Sequence, residues 1–365
     1  MNSKIRVLVV DDSALIRKML SDLLNQNPEI EVVGSAQDGA FVMRKIEQLK
    51  PDVITLDVEM RTKGGLEVLP EIVREHHIPV IMVSAHTEQG AHSTLKALEL
   101  GAVDFVTKPQ AGLGVNLEEI VDALCQKIIA VGRSRARTPQ RTLTALHKPT
   151  ASRPVLQRPI IPASCGKVDL IAVGASTGGP EALRELLVNL PGNLPGILIV
   201  QHMPAGFTKA FANRLDGLCA MHVKEAEEGD PVSKGTALIA PGSHHMELVR
   251  SGSGYRVRLL DTDPVNRHRP AVDVLFNSVA RLVGKRCVAI QMTGMGGDGS
   301  RGLLNIFETG AMTIAQDQDS CVVFGMPKEA IKLGAATHIL PLQQIAPFVT
   351  KSLGVERQMQ MAASN

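Results

Sequence analysis

The chain has 365 residues, a formal net charge of +2 and an apolar fraction of 44%, which is enough for two or three domains with sizeable cores. With no Trp and one Tyr, it lacks the aromatics that stack bases, and its nearly balanced charge does not suggest a polyanionic partner. No run of eighteen apolar residues occurs, and the start, MNSKIRVLVVDDS, has only a short apolar core ending in two acids. Neither a membrane span nor a signal peptide is therefore expected, and the reading is of a soluble cytoplasmic protein.

Taken in chain order, five short Val- and Ile-rich segments come first, at 5–10, 31–36, 52–57, 79–85 and 104–107. Between them lie stretches with helical spacing, such as Leu15, Met19, Leu20, Leu23 and Leu24. Strands that are almost wholly apolar and alternate with helices predict a parallel sheet covered on both faces. In such a sheet ligands sit beyond the carboxyl ends of the strands. There the sequence puts Asp11 and Asp12 after the first strand and Asp57 at the end of the third. Ser84 follows the fourth strand and Lys108 the fifth. Converging carboxylates favour a hard divalent cation such as Mg²⁺. A lysine and a hydroxyl beside them suit the oxygens of a phosphoryl group, with Asp57 as its acceptor. Taken singly, each acid also reads as a helix cap.

The motifs VVDDS, ITLDVEM, VSA and DFVTKP carry a resemblance. Residues 4–125 resemble the receiver domain of two-component response regulators, which have a flavodoxin-like fold. The resemblance implies that Asp57 is the phospho-acceptor. It implies that Asp11, Asp12 and Asp57, with the backbone carbonyl of Glu59, hold Mg²⁺. It also implies that Ser84 and Lys108 read out the phosphoryl group and that Phe105 is the switch aromatic. The sequence departs from the family at Arg61, where Pro often follows the DxxM motif, and RTKGG replaces the usual loop.

Residues 133–167 hold five prolines and eight Lys or Arg with no acid. They are expected to form an extended basic linker closing a receiver unit at 1–132. With those eight charges set aside, the net charge of +2 becomes −6, so the flanking units are together mildly acidic. The favoured reading of the basic run is a plain tether; docking to an acidic partner is the other.

The strand–helix pattern resumes at 168 and is expected to form a second unit to 355, with 356–365 as a tail. Strands are predicted at 169–176, 196–202, 287–294 and 311–316, and helices at 179–189, 206–215, 272–283, 298–309 and 327–334. Residues 219–261, with TALIAPG, HMELV and YRVRLLD, look like a short antiparallel insertion. The five dispersed cysteines, Cys125, Cys165, Cys219, Cys287 and Cys321, fit free thiols. Neither CxxC nor HExxH occurs, and no transition-metal site is expected.

GASTG at 174–178 fits G-x-S-x-G, the strand-to-helix elbow that exposes a nucleophilic serine. The same turn, with Pro180 in the first turn of the helix, also suits a phosphate. His202 ends the next strand, and Asp298 lies among glycines after a third. Ser176, His202 and Asp298 are the composition of a Ser–His–Asp triad. Singly they read as a cap, a surface histidine and a turn former. The order Ser…His…Asp is not that of α/β-hydrolases, and GASTGG is not a dinucleotide fingerprint.

The motifs GASTGGP, QHMP, APG, HM, RPAVDVLF and TGMGGDG are similar to those of the chemotaxis protein-glutamate methylesterases. Residues 168–350 resemble their catalytic domain, which implies a Rossmann-like α/β fold. The resemblance implies a triad of Ser176, His202 and Asp298, with the backbone N–H of Met295 at the oxyanion. Thr177 and Arg269 are implied as binding candidates. It implies hydrolysis of glutamate γ-methyl esters, and deamidation of particular glutamines, on methyl-accepting chemoreceptors. No cofactor is expected for the hydrolase. A chemotaxis histidine kinase is the expected phosphodonor, and a monomer without nucleic-acid or direct membrane partners is expected. Two rival readings remain: a regulator whose second unit binds a partner or nucleotide without hydrolysis, and a DNA-binding regulator. The mildly acidic units and the lack of a helix-turn-helix pattern stand against the latter.

Overall fold

The computed structural model describes residues 3–85, 87–108, 117–136 and 168–354. The expected linker beyond 136, the tail and Cys165 lie outside the described residues. No helix among the described residues is long and apolar enough to cross a membrane.

The first unit has five strands, β1 (Ile5–Val10), β2 (Ile30–Ala36), β3 (Val53–Asp57), β4 (Val80–Ser84) and β5 (Asp104–Thr107). They pair in parallel in the order β2-β1-β3-β4-β5. Its helices are α1 (Ala14–Asn25), α2 (Gly39–Leu49), α3 (Gly65–Glu71), α4 (Glu88–Glu99) and α5 (Leu117–Ala136). Strands β3 and β4 are buried at every position, as a sheet covered on both faces requires. On α1, Leu20 and Leu24 enter the core, whereas Leu15 is 74% exposed in the first turn. Helix α5 runs through Ala136, into the stretch expected to be linker from 133. Gly132 stands at the expected boundary, but the helix runs through it, with Ile5 packed where a Cβ would lie, and the first proline is Pro139.

The second unit opens with β6 (Leu170–Ala175), α6 (Gly179–Val188), β7 (Gly196–Gln201), α7 (Phe207–Asp216), β8 (His222–Glu225) and β9 (Thr236–Ile239). A hairpin of β10 (His245–Ser251) and β11 (Gly254–Leu260) follows. The chain then forms α8 (Val272–Leu282), β12 (Cys287–Gln291), α9 (Ser300–Glu308) and β13 (Met312–Gln316). It closes with α10 (Met326–Lys332), β14 (His338–Leu340) and α11 (Leu342–Ser352). Seven strands form one parallel sheet in the order β14-β13-β12-β6-β7-β9-β8. The two doubly wound units expected from the sequence are present.

The expected insertion is smaller than its sequence suggested. Among the described strands only β10 and β11 pair antiparallel, while the TALI segment, as β9, lies parallel to β7. Ala237, Leu238 and Ile239 are all buried. A strand apolar on both faces gains more inside a covered parallel sheet than at the edge of a half-wet hairpin. The hairpin docks on α8, where Ser278 Oγ accepts a hydrogen bond from Leu248 N (2.9 Å).

Both sheets reverse strand order beside their first strand: β1 lies between β2 and β3, and β6 lies between β7 and β12. These are the switch points where crevices open at carboxyl ends, and Asp11 and Ser176 each follow the strand concerned. The two units touch through α4, which packs on α6 and α7. Phe105 of β5 stacks on Phe207 of α7 with ring centroids 4.6 Å apart, and Glu99 pairs with Arg214.

Phe276 on α8 is fully buried, and its Cβ lies 2.5 Å from where a side chain on Gly302 would begin. Phe276→Ala is expected to destabilise the second unit by about 3–5 kcal/mol. A lowered urea midpoint for the far-UV transition checks it.

Candidate active site

Ser176 follows β6 in a turn whose backbone is held from three sides. Ser176 N donates to Thr293 O (3.0 Å), while Ser176 O accepts from Gly179 N (2.7 Å) and Gln201 Nε2 (3.0 Å). Gly178 caps α6 with φ of 74°, a conformation that glycine adopts without cost. Gly294 lets the next segment approach: a Cβ there would lie 2.2 Å from Met326 Sδ and 2.8 Å from Ser176 Cβ. The Ser176 side chain is therefore fixed in a crowded wall, 8% exposed. Among the described residues its hydroxyl makes no hydrogen bond.

His202 follows β7, and its Nε2 lies 2.8 Å from Asp298 Oδ2. Its Nδ1 is buried with no hydrogen-bond partner. With Asp298 ionised, Nε2 carries the proton and donates, which leaves the Nδ1 lone pair as the available base. Asp298, in the glycine-rich turn between β12 and α9, is 3% exposed. Its carboxylate also accepts from Val272 N (2.6 Å), Asp273 N (3.2 Å) and Asn266 Nδ2 (2.7 Å). Burial pushes this carboxyl up. The hydrogen bond and charge of His202, with Asn266 and Val272 N–H, outweigh that and hold it below the ordinary carboxylate range. The first N–H groups of α8 supply part of this field.

Ser176, Thr177, His202 and Met295 line one cleft of about 300 Å³ together with Arg267, His268 and Arg269. Its other wall is the first unit: Phe105, Val106, Thr107, Ile120, Ala123, Gln126 and Lys127. The structure thus brings the three expected triad residues to one sheet edge. No hydrogen bond among the described residues engages Met295 N–H. Thr177 is buried, and its carbonyl accepts from Thr293 Oγ1 (3.0 Å). Arg269 Nη1 is already committed to Asp261 Oδ1 (2.7 Å) and Thr262 O (3.0 Å).

Sequence reasoning missed Asn266, His268 and the glutamines. Strands β7, β12 and β13 each end in Gln, as Gln201, Gln291 and Gln316, and all three are buried. A polar residue closing three apolar strands was a readable signal of turns needing anchors. Gln316 Oε1 accepts from Thr293 N (2.8 Å), as Gln201 anchors Ser176.

In the first unit, ligand atoms of Asp11, Asp12 and Asp57 lie within 4.8 Å of one another. Lys108 Nζ reaches Asp57 Oδ2 (2.7 Å) and Asp11 Oδ2 (2.9 Å). Glu59 N donates to Asp57 Oδ1 (3.2 Å). Three converging carboxylates against one half-buried ammonium suit a hard divalent cation. Burial lifts Asp57 to about 6 against the opposing pull of Lys108. Burial pulls Lys108 down, but its hydrogen bonds to Asp57 and Asp11 carry it above its usual value. Arg61, 91% exposed in its side chain, reaches Asp12 Oδ2 at 3.4 Å. Ser84 is not turned to this pocket; its hydroxyl donates to Gly90 O (3.2 Å). Phe105 points into the interface rather than to solvent.

Comparison with known proteins decides the family. The CheB methylesterase family matches residues 171–349, and the response regulator receiver domain matches 7–122. A protein-glutamate methylesterase/protein-glutamine glutaminase of Cupriavidus pinatubonensis is 48% identical over 96% of both chains. This chain belongs to the CheB methylesterase family. A relative with the same activity name from Paraburkholderia xenovorans is 50% identical over 96% of this chain and 97% of its own. The crystal structure of the Thermotoga maritima CheB methylesterase catalytic domain is 40% identical, covers 52% of this chain and all of its own, and has a TM-score of 0.49.

Two expectations follow from this geometry. Gly294→Ala pushes on Ser176 and Met326. It is expected to slow fluorophosphonate labelling of Ser176 by about 100-fold, the scale of an ångström-sized misplacement, and to lower the urea midpoint. In metal-free buffer, the raised Asp57 means that its contribution to stability is complete below about pH 4 and is lost as pH rises through about 6. Asp57→Asn removes that loss. Its melting temperature should exceed wild type at pH 7–8, with the gap closing toward pH 4.

Proposed function

We propose that the chain is a phosphorylation-controlled methylesterase that demethylates glutamate γ-methyl esters, and deamidates specific glutamines, on chemoreceptors, resetting their signalling during adaptation. Ser176 is the nucleophile, His202 the general base and Asp298 its orienting carboxylate. The observation that carries this is the His202 Nε2–Asp298 bond, which leaves Nδ1 as the base in the cleft that Ser176 lines.

The Ser176 hydroxyl attacks the ester carbonyl as His202 Nδ1 takes its proton. The oxyanion falls to the Met295 N–H, and the Asp298 carboxylate offsets the charge of the imidazolium. His202 then protonates the departing methoxide, so methanol leaves and an acyl-Ser176 remains. Water attacks the acyl carbon, His202 takes its proton, and Ser176 leaves reprotonated. The product is a glutamate carboxylate. A glutamine side chain follows the same course with ammonia as the leaving group. Thr177 shapes the cleft, and Arg269 holds its rim through Asp261 and Thr262.

Asp57 is the phospho-acceptor, with Mg²⁺ held by Asp11, Asp12, Asp57 and the Glu59 carbonyl. When bound, Mg²⁺ supplies charge that offsets the phosphoryl oxygens. A chemotaxis histidine kinase is the donor. The unphosphorylated receiver walls the cleft: Phe105, Ile120 and Lys127 line the side opposite Ser176 and His202 and so obstruct a receptor helix. Phosphorylation draws Ser84 and Lys108 to the new oxygens, and Phe105 leaves Phe207, which frees the cleft. Residues 1–136 and 168–354 are the two working units, both cytoplasmic.

Methanol release from methylated receptor membranes, with and without a small phosphodonor, tests this reading. Ser176→Ala is expected to lose at least about 10³-fold in turnover, and Asp57→Ala to lose the phosphodonor response while keeping basal turnover. Turnover retained by Ser176→Ala would overturn the nucleophile; a phosphodonor response retained by Asp57→Ala would overturn the switch.

A further inference from the structure

The segment from Val265 to Pro270 joins the hairpin to α8. It is tightly built. Val265 N donates to His268 O (3.0 Å), and His268 N donates to Val265 O (2.9 Å). Between them Asn266 and Arg267 have φ of 54° and 68°. Two successive left-handed residues make a sharp turn, and a side chain larger than Asn is held there at a cost of about 1–2 kcal/mol. The turn is anchored at both ends by one buried imidazole: His245 Nε2 donates to Asp263 O (3.0 Å), and His245 Nδ1 accepts from Ala271 N (3.1 Å).

This turn reaches two of the three triad residues. Asn266 Nδ2 donates to Asp298 Oδ1 (2.7 Å) and to Asp273 Oδ2 (2.8 Å), so one amide ties two buried acids. The His268 ring lies flat on the His202 ring, with centroids 3.8 Å apart and planes at 15°. Among the described residues the His268 side chain makes no hydrogen bond, so stacking is what it offers there.

We propose that the Val265–Pro270 turn is a positioning clamp for the triad, in which His268 fixes the plane of the His202 imidazole and Asn266 fixes the Asp298 carboxylate. This rests on the triad reading above. The His202 ring has one strong bond, through Nε2, and could rotate about it; a flat ring at van der Waals distance removes that freedom. The orientation that remains keeps Nε2 on Asp298 and leaves Nδ1 without a protein partner. Burial, and then the neighbouring His202, hold His268 well below the usual histidine range. It therefore meets the His202 imidazolium formed during turnover as a neutral π face, not as a like charge. The clamp needs a flat ring at 268 and a donor at 266, and it needs no contact with substrate.

The test is methanol release by the full chain on methylated receptor membranes with phosphodonor, normalised to the fraction of Ser176 that a fluorophosphonate can label to completion. His268→Ala is expected to lower kcat about 10- to 100-fold, as misplaced catalytic groups do, with KM within about twofold. His268→Phe keeps the flat ring and is expected to recover most of that loss. Asn266→Ala is expected to lower kcat about 10-fold at unchanged KM. The clamp is overturned if His268→Ala keeps wild-type kcat, if its effect falls on KM, or if His268→Phe is no better than His268→Ala. Turnover by Ser176→Ala would bring down the triad and the clamp together. Failure of the clamp alone leaves Ser176→Ala inactive, so the two failures are distinguishable.

Discussion

The carboxylate of Asp298 is the point on which the hydrolytic half of the molecule depends. It accepts from His202 after β7, from Asn266 in the turn before α8, and from the first N–H groups of α8 itself. Two segments distant in sequence, one at 202 and one at 266–273, are gathered on one buried charge. A carboxylate with that many donors stays ionised despite burial. An ionised partner in turn sets which nitrogen of His202 carries the proton. The direction of the base therefore follows from how Asp298 is solvated by protein rather than from His202 itself.

The receiver half repeats the same physics with another outcome. There the buried carboxylates share a single ammonium, Lys108, and Asp57 is lifted rather than held down. Protein N–H groups satisfy Asp298, whereas Asp11, Asp12 and Asp57 converge with too few donors of their own. An incompletely satisfied acidic cluster is a place for a cation and a phosphoryl group; a fully satisfied one is a place to orient a base. The link between the halves joins an aromatic stack to the Glu99–Arg214 ion pair. Phe105 on β5 stacks on Phe207 of α7, so a change of side-chain packing in one unit is felt as a change of contact in the other.

Much of this could be read in the sequence, because the strands of covered parallel sheets are short, apolar and bounded by turns. Asp11, Asp57, Ser176 and His202 could be placed at carboxyl ends from that pattern alone. Two boundaries could not. The TALI segment reads as part of the hairpin because a four-residue apolar run carries no label for its partner. Helix α5 passes the expected boundary at 132 because a basic composition says little about where a helix stops. Leu15 lies five and nine residues before Leu20 and Leu24, which at about 100° per residue turns it to the far side of α1, and it faces water.

By itself the sequence determined the two doubly wound units, the acids of the receiver and the serine, histidine and aspartate at three strand ends, for these are properties of local periodicity and of where chains must turn. Tertiary structure alone decided which nitrogen of His202 is free, that Asn266 binds Asp298 and His268 stacks on His202, and that the receiver forms a wall of the cleft. Each of those is a contact between segments tens or hundreds of residues apart. Such contacts are set by how whole layers pack, and no local pattern of residue types records them.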